Sequence, residues 1–254
     1  KRGLRQGLNL FNLLKAAVWN PVKHYRLPVG LLRENDPADF IIVDQLENFT
    51  VQETYIDGEL VFTREQDSLL NVAASSYPNV MNAGPVKEED LKIPYKNHPA
   101  KVIVARDRSL LTDVREIHLE AFDNEIVSDP GQDILKIAVV NRYKNQAPAI
   151  GLIQNFGLQQ GALATSVAHD SHNIICVGAD DNSMVQAINQ IIEMGGGNVV
   201  VTPGEVESLP LEFGGLMTSR SAEDVARQYM QLTTLVHKLG CELKAPFMTL
   251  AFMA

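Results

Sequence analysis

With 254 residues, 45% of them hydrophobic and 21% charged, the chain carries enough apolar material for one substantial core or two smaller ones. A net charge of -9 with no cluster of Lys and Arg excludes nucleic-acid phosphate as a general partner. The longest apolar runs span only a few residues against the roughly 20 needed to cross a bilayer, which excludes a transmembrane helix.

The opening stretch Lys1-Arg2-Gly3-Leu4-Arg5-Gln6-Gly7 is basic but runs into a helical pattern with no small-residue cleavage site. It is read as an internal cut in a longer chain and not as a signal peptide. Residues 8–25 hold Leu10, Leu13, Leu14, Ala17 and Val18 at helical spacing, with Asn9 placed to cap the first turn. Asn20-Pro21 is expected to interrupt this helix, because proline lacks a backbone donor and disfavours helical geometry in the residue before it. Three short β-prone runs follow, at 39–43, 51–56 and 60–63. Asp57-Gly58 between the last two suits a type I′ hairpin turn, which needs positive φ at both positions.

From about Glu65 to Pro99 the periodicity fades into a polar stretch containing Ser75-Ser76, Asn82-Ala83-Gly84-Pro85 and the charge run Lys87-Glu88-Glu89-Asp90. A domain boundary is placed there. Beyond it, strands are expected at 101–105, 135–141, 174–178 and 198–201. Residues 183–194 predict a helix with Met184, Ala187, Ile188, Ile191 and Ile192 on one face, ended by Gly195-Gly196-Gly197. A second helix is predicted at 222–239, burying Val225, Tyr229, Leu232, Leu235 and Val236. The fold class is therefore α+β.

Chemistry-bearing residues concentrate in Val167-Ala168-His169-Asp170-Ser171-His172-Asn173, just ahead of an apolar strand. Imidazole and carboxylate are good ligands for manganese, iron or zinc, so His169, Asp170, Ser171 and His172 are candidates for a metal- or substrate-contacting loop, with His169 and His172 as the metal ligands. The competing reading is a polar turn whose side chains satisfy backbone groups. Glu205 is a second candidate acid/base or ligand, against a solvated surface charge. The triple glycine follows a helix instead of leading from a strand into one, which favours a helix stop over a phosphate cradle. His24, His98, His118 and His237 stand singly. Serine-nucleophile signatures are absent, and Cys176 and Cys241 lie in apolar surroundings without C-x-x-C spacing or an activating neighbour. Such free cysteines fit a reducing cytoplasm. The H-x-E and P-C-x-x-C elements of zinc nucleobase deaminases are also missing.

These segments together resemble the adenine deaminase family of the amidohydrolase superfamily over most of the chain. Ala16-Ala17-Val18-Trp19-Asn20-Pro21-Val22 resembles the end of the last barrel helix, departing from the usual wording at Trp19 and Val22. The run Val29-Gly30-Leu31 to Asp36-Pro37-Ala38-Asp39-Phe40-Ile41-Ile42-Val43 is similar to the return into the small β domain beside the barrel. The family-specific match lies later, in His169-Asp170-Ser171-His172-Asn173, Gly195-Gly196-Gly197, Leu209-Pro210-Leu211 with Gly214-Gly215-Leu216-Met217, and Pro246-Phe247-Met248-Thr249-Leu250. Where the family has Ala-Gly-Leu-Met-Ser, this chain has Gly214-Gly215-Leu216-Met217-Thr218.

The resemblance implies the end of a metal-dependent hydrolase barrel at 1–28, a partial β domain at 29–66, a linker at 67–99 and an α+β domain at 100–254. It implies a parent enzyme, truncated here at both ends, that hydrolyses adenine to hypoxanthine and ammonia in purine salvage. A divalent metal, manganese or iron, would sit in the barrel. The His-x-His pair that begins the barrel's ligand set has no counterpart here, since two residues separate His169 from His172. The chain alone is therefore expected to be inactive, with the missing barrel segment as its partner, adenine as the parent's substrate and a homo-oligomer as the assembly. The alternatives are a noncatalytic metal-binding or interaction module, and an amidohydrolase acting on another purine or cyclic amide.

Overall fold

The computed structural model describes residues 1–65 and 79–253, so Ser75-Ser76 of the polar stretch lie outside the described residues. The chain divides into two compact units, Lys1–Ser75 and Ser76–Ala254.

The first unit opens with α1 (Arg2–Arg5) and α2 (Leu10–Leu14). The Asn9 side chain caps α2, accepting from the amides of Phe11 and Asn12 at 3.0 and 3.2 Å. Contrary to the expected break at Asn20-Pro21, helical geometry continues through a π-helical turn (Lys15–Trp19) into α3 (Asn20–Tyr25). Asn20 keeps φ -64° and ψ -45° although proline follows. The physical reason lies in the widened i→i+5 turn: it falls immediately before the residue that has no donor, where the regular i→i+4 ladder would fail in any case. Arg26 in the left-handed region at φ 52° ends the helix. The strands β1 (Phe40–Val43), β2 (Val51–Ile56) and β3 (Glu59–Thr63) form an antiparallel sheet in the order β1-β2-β3. Asp57 and Gly58 at φ 50° and 80° make the hairpin turn expected from their identity.

Asp39 fastens this unit. One carboxylate oxygen accepts from the amide of Gly30 at 2.7 Å and the other from the amide of Asp57 at 2.9 Å. These bonds hold its pKa below the usual carboxylate range, the Asp57 amide contributing most. A Cβ at Gly30 would stand 1.9 Å from the carbonyl oxygen of Pro37, so only glycine fits there.

In the second unit residues 79–99 differ from the linker read into 67–99. Val86 and Leu91 are buried, and Val86 exchanges two hydrogen bonds of 2.9 Å with the side chain of Asn189. Their sparse apolar content hid this, because Val86 and Leu91 are buried while Met81, Ala83, Ile93 and Tyr95 only partly cover the core.

Eight strands form the main sheet: β5 (Ala100–Val104), β6 (Asp113–Ile117), β8 (Ile134–Val140), β9 (Ala149–Gln154), β10 (Ala162–Thr165), β11 (Ile174–Gly178), β12 (Gly197–Thr202) and β13 (Glu205–Pro210). Their order is β13-β12-β10-β11-β8-β9-β5-β6, and β4 (Ile93–Pro94) pairs with β7 (Glu125–Ile126) as a separate ribbon. The strand β10 is antiparallel to both β11 and β12, so those two run parallel to each other and need a crossover, which α4 (Asp181–Met194) supplies.

Met184, Ala187, Ile188 and Ile191 of α4 are buried on Ala138, Ala162, Ala164, Cys176, Val199 and Val201. The opposite sheet face, with Leu135, Leu163, Ile175 and Val200, packs against α5 (Ala222–Lys238) and α6 (Pro246–Ala251) through Leu232, Val236, Phe247 and Leu250. The central strands are thus covered on both faces, which explains their continuous apolar composition. Sequence periodicity missed β10 for that reason: Ala162-Leu163-Ala164-Thr165 is wholly buried and shows no alternation. No helix among the described residues is long and apolar enough to cross a membrane.

Candidate functional site

Strand register puts four connections at one end of the main sheet. Thr165, the last residue of β10, lies opposite both Ile175 and Asn198; Ile174 lies opposite Val140; and Gly197 lies opposite Pro210. The His169-Asp170-Ser171-His172-Asn173 loop, residues 141–144, the triple glycine and the segment after Pro210 therefore emerge together. Glu205 does not join them. It pairs with Thr202 at the far end of β12 and lines a different cleft of about 560 Å³ with Arg227, Met230 and Lys238.

Within the loop, His169 is tied to the C-terminal helix. Its amide donates to the carbonyl of Ala251 at 2.7 Å, and its ring stacks on Phe252 with centroids 4.7 Å apart and planes at 26°. Its Nδ1 lies 3.3 Å from an Asp170 carboxylate oxygen, with both side chains largely exposed. The amide of His172 donates to the carbonyl of Ala168 at 2.9 Å, while Asp170 and His172 adopt φ 65° and 52°. Ser171 Oγ accepts from the amide of Asn173 at 3.3 Å. The polar-turn reading thus accounts for Ser171 and for the loop backbone, whereas the imidazole of His169 and the carboxylate of Asp170 stay accessible.

Behind the loop sits a buried polar layer that sequence reasoning missed. Ser166 Oγ donates to the carbonyl of Gly215 at 2.6 Å and accepts from the amide of Gly197 at 2.8 Å. Thr165 Oγ1 donates to Asn198 Oδ1 at 2.6 Å. A Cβ at Gly196 would stand 2.3 Å from the Cα of Gly215, so the two glycine segments touch backbone to backbone. Gly195 at φ 75° is the helix stop expected of it, its amide and that of Gly196 returning to Ile192 and Ile191.

Arg142 is the centre of this layer. It is 2% exposed, and its guanidinium donates to the Val80 carbonyl at 3.0 and 2.8 Å, to Asn79 Oδ1 at 2.8 Å and to the Gly214 carbonyl. Burial lowers its pKa from the ordinary arginine value. The sequence signal was a cation just past a strand buried along most of its length, which does not by itself distinguish a buried side chain from an exposed one.

The donor set does not make a metal centre. Among the described residues no three His, Cys, Asp or Glu side chains gather in a group that could hold an ion, leaving His169 and His172 without the further ligands a site requires. Nor are the cysteines nucleophiles: burial pushes the Cys176 thiol up and the Cys241 thiol up to about 11. Glu212, by contrast, is held as a carboxylate. It accepts from the amide and hydroxyl of Ser219, each at 3.0 Å, and from Thr218 Oγ1 at 3.1 Å, bonds that bring its pKa down to about 2.

Residues 1–61 match the amidohydrolase family, and residues 109–254 match the adenine deaminase C-terminal domain. Over its whole length the chain is 45% identical to an adenine deaminase of Methanosarcina barkeri, 43% to one of Salinibacter ruber and 40% to one of Borreliella burgdorferi. It covers 47%, 47% and 46% of them, so it spans about half the length of these curated relatives. The match to the C-terminal domain takes in more than half of the chain and all four loop motifs that meet at this end of the sheet, and on that ground the chain belongs to the adenine deaminase C-terminal domain family.

Proposed function

We propose that this chain is the C-terminal half of an enzyme that hydrolyses adenine to hypoxanthine and ammonia, working in cytoplasmic purine salvage as a homo-oligomer. The observation that carries the reading is full-length similarity, at 39–45% identity, to proteins named adenine deaminase. On this reading residues 1–28 close a hydrolase barrel, 29–66 belong to the small β domain, and the His169–His172 loop of the α+β domain that follows has a site role in the parent enzyme. The helical residues before Leu27 suit such a role. Phe11, Trp19 and Tyr25 are exposed at 75%, 41% and 71%, an apolar display that a neighbouring surface would cover.

A divalent metal, manganese or iron, would activate water in the barrel, a reading supported by the match of residues 1–61 to the amidohydrolase family. The described residues do not fit that ion, since no three His, Cys, Asp or Glu side chains among them gather to hold one. Their own contribution is narrower. The exposed imidazole of His169 beside the Asp170 carboxylate can hold or pass a proton at the edge of a site, and Phe252 fixes the ring's plane.

The test is to read the codons upstream of Lys1, express the longer product, and compare its ammonia release from adenine with that of residues 1–254 alone. Activity in the longer product and none in the chain supports the proposal. Metal-dependent turnover by residues 1–254 alone, above a heat-killed control, would overturn it. So would a longer product that ignores adenine but hydrolyses another purine or a cyclic amide.

A further inference from the structure

The second unit buries two cations completely, and it treats them differently. Lys136 Nζ has a carboxylate partner, Asp181, at 2.7 Å. Arg142 has none: among the described residues no carboxylate lies within ion-pair distance of its guanidinium. Removing a permanent charge from water is costly, and two carbonyls, one amide oxygen and the Tyr143 ring, 5.6 Å from the guanidinium carbon, offset that cost only in part. A core position that needed only volume and apolar contact would be filled more stably by Leu or Met.

What the guanidinium does that those residues could not is join separate segments. Its fork reaches Asn79-Val80 on one side and Gly214 on the other, while its backbone amide donates to Asn173 Oδ1 at 3.4 Å, where the His169 loop returns to the sheet. Asn79 extends the same web by donating to the carbonyl of Gly195 at 2.8 Å. The neighbouring backbone is shaped to admit the group, since a Cβ at Gly215 would lie 2.5 Å from its terminal nitrogen.

From this geometry we infer that Arg142 is a positioning residue, which sets the Gly214–Thr218 segment and the His169–Asn173 loop at the fixed spacing that turnover requires. The inference rests on the proposal that this end of the sheet serves the active site.

Two substitutions test it. Arg142→Lys keeps the charge but loses the fork, and Asn79→Ala removes, at an exposed position, one acceptor of the guanidinium together with the donor to the Gly195 carbonyl. Ile188→Ala, which weakens the packing of α4 on the sheet, serves as a control for stability loss alone. In residues 1–254, hydrogen exchange at the amides of 214–218 should rise at least tenfold in Arg142→Lys and less in Asn79→Ala, with Ile188→Ala showing no selective rise there. In the longer product, kcat per folded molecule should fall about tenfold or more in Arg142→Lys with barrel metal content unchanged, while Ile188→Ala keeps wild-type kcat per folded molecule.

Unchanged exchange at 214–218 in both variants overturns the inference. Wild-type turnover in Arg142→Lys alongside reduced turnover in His169→Ala or His172→Ala also overturns it, and leaves the proposed function standing. Wild-type turnover in all three means instead that this end of the sheet has no part in the reaction. If Arg142→Lys fails to fold, Asn79→Ala carries the same readouts at smaller amplitude, and wild-type exchange and kcat in that variant overturn the inference.

Discussion

Gly215 packs against the guanidinium of Arg142, so close that a Cβ on the glycine would stand 2.5 Å from one terminal nitrogen. Its φ of 72° independently favours glycine. Gly214, one residue earlier, has φ 63° but open space where its Cβ would go. The two positions therefore separate conformational strain from close packing. Gly214→Ala is expected to cost about 1 kcal/mol, the backbone contribution alone. Gly215→Ala should cost that plus about 1 to 3 kcal/mol for overpacking. Urea denaturation midpoints check the order, and equal losses at the two sites would show that the guanidinium yields freely to an added methyl group.

Ile188 faces the sheet from the middle of α4 with no exposed surface. Truncation to alanine removes its contacts with the strands beneath and leaves a cavity that a fixed helix cannot close, at a cost of about 2 to 5 kcal/mol. Glu193, on the exposed side of the same helix, should tolerate alanine within about 0.5 kcal/mol. Matching losses at Ile188 and Glu193 in thermal or chemical unfolding would contradict the three-layer arrangement.

The helix α4 was legible in the sequence because its apolar residues recur at helical spacing and triple glycine follows it; the hairpin at Asp57-Gly58 was legible because positive φ restricts the residue choice. The α+β class followed from such elements. Most of what stayed hidden was structure set by long-range contact and not by local pattern. Ala162-Leu163-Ala164-Thr165 becomes a strand only because α4 covers one face and the α5 and α6 layer the other. Pro21 stays within a helical path because the turn before it widens. At the candidate site the motifs themselves were readable, but not their meeting: the contacts joining Gly196 to Gly215 and His169 to Phe252 span 19 and 83 residues. Glu205 was readable only as a charged residue near a strand, and register alone shows that it belongs to the other end of the sheet.

His169 and His172 separate a site role from a turn role. Alanine at His169 removes the imidazole that stacks on Phe252 but leaves the backbone bond to Ala251 in place, so the loop should keep its course. In the longer product His169→Ala is expected to lower adenine turnover per folded molecule about 100-fold or more, the usual range for a proton-transfer group. Melting temperature should shift by only a few degrees. Bound metal should stay at the wild-type level in both His169→Ala and His172→Ala, since the donors gathered here are too few to hold an ion. Metal lost in proportion to turnover would place these imidazoles in the metal's coordination sphere after all. Wild-type turnover with lowered stability would reduce the loop to a turn.

Glu212 predicts a pH response of the segment that carries Gly214 and Gly215. In the folded chain the amide and hydroxyl of Ser219 and the hydroxyl of Thr218 hold its pKa at about 2, against an ordinary value of 4.5. A depressed carboxylate pKa stabilises the fold wherever the group is ionised in both states, that is, above about pH 4.5. Between pH 4.5 and about 2 the unfolded chain takes up a proton that the folded chain refuses, so the contribution shrinks as pH falls and is gone below the folded value. Glu212→Gln keeps the shape and an acceptor oxygen but abolishes the titration. The stability difference between wild type and Glu212→Gln should therefore be constant from pH 8 to about 5 and narrow as pH falls toward 2. Because neutral donors and no charged group hold the carboxylate, the difference should change little as salt is raised. Paired denaturation curves at closely spaced pH values provide the check. A difference that stays level down to pH 2 would mean that Ser219 and Thr218 do not hold the carboxylate in solution, and the segment from Glu212 to Ser219 would then need another anchor.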